Sequence, residues 1–148
     1  MKNASNNQLQ PLTKTIHNPK NAFETNKNIN IVRILINDEE TRIDFVYQKY
    51  LKETLKQSFQ ISPDCYIKVS TEDTKYKLLR ADNIALAPYK NIHYAKHVLF
   101  AFSLFFPAVP KNAQRIDVVE SEAKDKKYFN FYGVNLYSQK FPARYFKS

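Results

Sequence analysis

Between Ile29 and Tyr137 apolar side chains recur at every second residue in short runs, and polar turn residues break those runs every 8 to 12 positions. A period of two is the repeat of a β-strand that buries one face. The clearest run is Tyr94–Phe106, where Phe100, Phe102, Leu104 and Phe106 alternate with Leu99, Ala101, Ser103 and Phe105. Its length leaves a buried helix open, but the aromatic spacing of two favours a strand, and Pro107 pushes Phe106 toward extended backbone. The remaining runs agree: Ile29–Ile36, Thr41–Tyr47, Tyr66–Val69, Lys75–Leu79, Ile84–Ala87, Arg115–Val119 and Tyr128–Leu136 all read as strands. Seven to eight strands at this spacing predict an all-β, antiparallel β-sandwich.

One segment breaks the pattern. In Gln48–Ser58 the apolar residues Leu51 and Leu55 continue from Tyr47 at a spacing of four, with Lys52, Glu53 and Lys56 between them. This predicts one short helical insertion in a loop of the sandwich, with an irregular charged loop as the alternative. Turns must be made almost without glycine, because Gly133 is the sole glycine of the chain. Asn, Asp, Pro and Lys take that work, and Asn tolerates a left-handed backbone. A lone glycine inside a strand predicts a bulge or a close backbone approach. The 10 Tyr and 11 Phe favour strands, whose pleated, half-buried surface accepts rings.

Charge divides the chain into three. Residues 1–28 are rich in Asn, Gln, Lys, Thr and Pro and carry +3, which predicts a flexible N-terminal arm. Residues 29–137 form the presumed domain, and residues 29–123 carry only +1. Residues 124–148 carry +5, and within them 138–148 make a basic and aromatic C-terminal tail. A neutral body with basic ends suits polyanion binding or is simply solvated. Lys126, Lys127, Lys140, Arg144 and Lys147 are the candidate polyanion-binding residues, and Phe141, Tyr145 and Phe146 could stack bases or pack on the body.

Catalytic equipment is sparse. The sequence has no glycine-rich phosphate loop and no G-x-S-x-G elbow. Cys65 is the single cysteine, so an internal disulfide is excluded and a buried thiol is expected. His93 and His97 would share a strand face about 13 Å apart (four residues at roughly 3.3 Å each), too far to chelate one ion. No metal, cofactor or catalytic residue is therefore expected, and Asp117 with Glu120 reads as a strand end and turn. A pocket lined by Phe100, Phe102, Phe129 or Phe131 is the competing way to read so many rings. No transmembrane segment is expected, since the longest apolar stretch, Val98–Phe106, is about half a bilayer span. The first 28 residues contain no apolar signal-peptide core.

The order of several short motifs is informative. Asp38–Phe45 (DEETRIDF), Tyr66-Ile67, Lys75–Leu78 with Ala81 and Ile84, Phe102–Phe106 with Pro110, Ile116–Glu120 and Phe131–Leu136 follow one another. This succession resembles a group of small immunoglobulin-like β-sandwich domains common in Bacteroidota. The chain has Asn83 where many such domains have Gly, and Phe129 where they have Trp. The resemblance implies an immunoglobulin-like fold, no catalytic residues and export to the periplasm or cell surface. A non-catalytic binding or scaffolding module with a protein partner is the expectation, and an intracellular module that binds nucleic acid or another polyanion through its basic ends is the alternative. Asp38, Thr41, Phe102, Asp117 and Gly133 then take turn and core roles. In that reading Asp38 and Thr41 stabilise the first hairpin.

Overall fold

The computed structural model describes residues 13–125 and 127–137. Ten strands follow in order: β1 (Lys14–His17), β2 (Phe23–Glu24), β3 (Ile29–Ile36), β4 (Glu40–Phe59), β5 (Tyr66–Val69), β6 (Lys75–Lys77), β7 (Arg80–Asp82), β8 (Asn91–Pro107), β9 (Arg115–Val119) and β10 (Asn130–Asn135). They form two five-stranded antiparallel sheets, β1-β3-β4-β8-β7 and β2-β10-β9-β5-β6. The alternation seen in the sequence places Ile43, Phe45, Phe102, Leu104 and Phe106 on the inner face of the first sheet. Ile67, Val69, Ile116, Val118 and Phe131 do the same in the second, and all are buried. Rings join the layers: Phe45 stacks on Phe102 at 4.9 Å and meets Phe129 and Phe131 of the facing layer at 5.2 and 6.1 Å. The result is a β-sandwich-like, all-β fold.

Three expectations need correction. Ten strands replace seven to eight. The expected flexible arm does not reach residues 13–28, because Lys14–His17 pairs with Arg33–Ile36 and Phe23–Glu24 pairs with β10. A sheet edge supplies the partner that this polar segment lacks by itself. Lastly, the described residues contain no helical insertion, and Gln48–Ser58 belongs to β4. Four is a multiple of two, so residues spaced by four satisfy a strand as well as a helix. The partner strand β8 decides between them by taking up the backbone hydrogen bonds.

The outer face of the first sheet is closed by charge. Asp44 accepts hydrogen bonds from Arg33 (2.8 Å), Arg42 (2.8 Å) and Ser103 (2.6 Å). Burial pushes its carboxyl up, but those three hydrogen bonds outweigh burial and hold it below the ordinary value. Beside it, Phe105 lies under the guanidinium groups of Arg42 (5.5 Å) and Arg80 (4.0 Å). Aromatic faces attract such cations.

A folded basic ribbon and the cleft beneath it

β4 and β8 are the two longest strands, with 20 and 17 residues, and they pair along nearly their whole length. Their register is regular from Glu40↔Pro107 to Tyr50↔His97 and resumes at Leu55↔Ala95. Between those points β4 carries extra residues, and there the ribbon bends. The rings show how far. Tyr47 and Phe59 are twelve residues apart, about 40 Å on a straight strand, yet their centroids lie 4.8 Å apart. Phe59 and His93 of the far half also meet Phe100 of the near half at 5.1 and 5.3 Å. The ribbon thus doubles back over itself, and a bulged crest at 51–54 is what allows both strands to turn together.

Folding the ribbon sorts its side chains. Tyr47, Phe59, His93 and Phe100 pack inside the fold. Gln48, Tyr50, His97 and Leu99 face out from the near half, and Lys56 and Tyr94, which are cross-strand partners, face out from the far half. Tyr50 and His97 lie ring on ring at 4.0 Å, with Tyr50 70% exposed, and Tyr94 is 71% exposed. Nine large apolar side chains are exposed among the described residues, and five of them (Tyr50, Leu55, Ile92, Tyr94 and Leu99) sit on this ribbon. Charge gathers there as well. Residues 48–59 and 90–99 hold Lys49, Lys52, Lys56, Lys90 and Lys96 against Glu53 alone. All other described residues balance, with thirteen Lys and Arg against thirteen Asp and Glu. The near-neutral body read from the sequence therefore hides one positive element.

Beneath the ribbon lies a cleft of about 980 Å³. Tyr47, Phe59, Phe100, Phe102, Tyr128 and Phe129 supply rings to its lining, and Lys27, Lys49, Lys90 and Lys127 also line it. Three of the four Phe positions named from the sequence for such a pocket lie here; Phe131 does not. Burial raises the Tyr47 phenol above its ordinary value. Glu120 also lies in the wall, 4% exposed. Its carboxylate accepts the backbone N–H groups of Ser62 and Phe129, both at 3.0 Å. Burial pushes its pKa up, and those two hydrogen bonds with the Lys127 charge offset only part of the rise.

The other candidate residues fall into separate roles. Lys127 is the one polyanion candidate in the cleft; its ammonium lies 5.1 Å from the Tyr128 ring centroid. Lys126, Lys140, Arg144 and Lys147 lie outside the described residues. Asp117 and Glu120 hold different backbone groups, since Asp117 accepts the N–H of Gly133 at 2.9 Å. Gly133 has φ of +64° at a register shift between β9 and β10, so the predicted bulge and close approach both occur there. Phe102 is core.

The first hairpin differs from expectation. Asn37, and not Asp38, accepts the turn N–H groups of Glu39 and Glu40. Asp38 instead pairs with Lys111 at 2.8 Å. Thr41 is fully buried, and its hydroxyl accepts the Val109 N–H at 3.0 Å, tying down the loop after β8. His93 and His97 each lie against aromatic rings.

No protein-family model matches the chain, no curated protein matches it, and no solved structure matches it.

Proposed function

We propose that this chain is a non-catalytic binding or scaffolding module of the immunoglobulin-like sandwich kind, which docks a protein partner through its folded ribbon. The observation that carries this reading is the concentration of large exposed apolar side chains, five of the nine among the described residues, and of unbalanced lysines on one element. Large exposed apolar groups are enriched where proteins meet partners. Tyr50 and Tyr94 have the amphipathic form that dominates such contacts. The carboxylates support a structural role, since buried Asp44 and Glu120 and half-buried Asp117 are each engaged in holding strands and backbone together. The motif order points to the cell envelope as the place of work and to kinship with the Bacteroidota domains.

The test is capture from lysate of the native cell with two variants. Tyr50→Ser/Leu99→Ser should lose a partner that the unaltered protein retains. Leu79→Ser, which changes an exposed leucine away from the ribbon, should retain it. Equal capture by all three proteins refutes the ribbon as the docking element.

A second reading follows from the charge. Lys52, Lys56 and Lys96, on the ribbon that carries the Tyr50–His97 stack, suit single-stranded nucleic acid, which is held by phosphate contacts and ring stacking. Fluorescence anisotropy with a labelled 20-nucleotide single strand decides it. Affinity that falls steeply with salt, and is lost in Lys52→Gln/Lys56→Gln/Lys96→Gln, supports this reading; no binding at low salt ends it.

A further inference from the structure

The cleft beneath the ribbon is a separate feature from the ribbon's outer faces. We propose that it binds a small amphipathic anion: a flat or acyl apolar body lying on the rings, with one carboxylate, sulfonate or phosphate held by the lysines at its margin. Its volume of about 980 Å³ is that of a small-molecule site. Six aromatic residues contribute to the lining, a surface that favours an apolar body.

The sign of the charged group follows from the margin. Lys27, Lys49 and Lys90 form no ion pair among the described residues, and Lys127 reaches Asp125 only at 4.0 Å. Four ammonium groups around one cleft repel a cationic ligand and attract an anionic one. Glu120 is the sole acidic side chain in the lining. It sits in the wall with its oxygens already accepting two backbone N–H groups, so it turns an anionic group away from that wall and toward the lysines. The chain's own C-terminal tail does not fit this site by charge, because residues 138–148 are net positive.

This proposal does not depend on the docking reading, and its test separates the two. The probes are 1-anilinonaphthalene-8-sulfonate, an aromatic anion that brightens on leaving water, and N-phenyl-1-naphthylamine, its uncharged analogue. Titrated into the full folded chain, the sulfonate is expected to saturate at one site per protein. Lys49→Gln/Lys90→Gln should weaken sulfonate binding about tenfold, as loss of two exposed charge contacts predicts, and leave the uncharged probe within about twofold. Lys52→Gln/Lys56→Gln, on the crest and outer face, should change neither.

Displacement by oleate or by 1-naphthoate then tells an acyl from an aryl body. Three outcomes overturn the proposal: no saturable binding, equal weakening of both probes by the cleft substitutions, or loss of binding only when Tyr50 and Leu99 are changed. The last would place the probe on the outer face and leave the docking reading standing.

Discussion

Replacing Gly133 with alanine is the sharpest test of how the second sheet is built. At φ of +64° an L-residue brings its Cβ against its own carbonyl, which costs about 1–2 kcal/mol. The added Cβ would also stand 3.0 Å from the Ala22 Cβ, inside the optimum of about 3.5–4.0 Å for carbon pairs. Ala22 cannot simply swing away, because its N–H donates to the Tyr132 carbonyl at 2.9 Å in the link between β1 and β2. Against these costs, alanine narrows the unfolded ensemble and returns about 0.4–1 kcal/mol. The net destabilisation expected is about 1–2 kcal/mol. With a urea slope of roughly 1–3 kcal/mol per molar, the unfolding midpoint should fall by about 0.3–2 M.

Tyrosine fluorescence reports the transition, since the chain has 10 Tyr and no Trp. Combining Gly133→Ala with Ala22→Gly separates the two causes. The double variant should recover the contact cost, with a coupling of at least about 0.5 kcal/mol, and should keep the backbone cost. A midpoint that is unchanged or raised in Gly133→Ala would refute the left-handed bulge and the close approach together.

Glu120 gives a prediction with a fixed sign. Its folded-state pKa lies above the ordinary 4.5, so the folded protein binds the proton more tightly than the unfolded chain. Stability should therefore decline as pH rises from about 4.5 through the folded-state value, and urea midpoints for Glu120→Gln should lose that part of the slope. Asp44 acts oppositely and in a lower window: its folded pKa lies below 3.8, so its contribution disappears only as pH falls through that depressed value. Cys65 is fully buried and its thiol is pushed up first by burial and then by Glu120, so it should resist iodoacetamide in native protein and react on unfolding. Rapid native labelling would mean that the core opens at that point. Phe45→Ala should cost about 3–5 kcal/mol in urea titrations, because its ring touches both layers; a loss below about 1 kcal/mol would contradict the facing of the sheets.

What could be read in the sequence was whatever depends on near neighbours. Alternation at Phe100–Phe106 fixed a strand and its buried face, and the solitary Gly133 marked a bulge, because side-chain period and φ are local properties. The long-range partners of those strands left weaker traces. Leu51 and Leu55 satisfy a helix and a strand equally, and only β8, some forty residues later, breaks the tie. Lys14–His17 is too polar to order itself, and its strand exists because the edge of β3 is available. Charge behaved the same way. Counted along the chain, the excess appears at the two ends and the middle cancels. Folding brings 48–59 against 90–99 and separates five lysines from the acidic residues that cancelled them in the count. A basic surface of this kind has no motif, since its members belong to two distant segments and acquire a common sign only when the ribbon pairs and folds over.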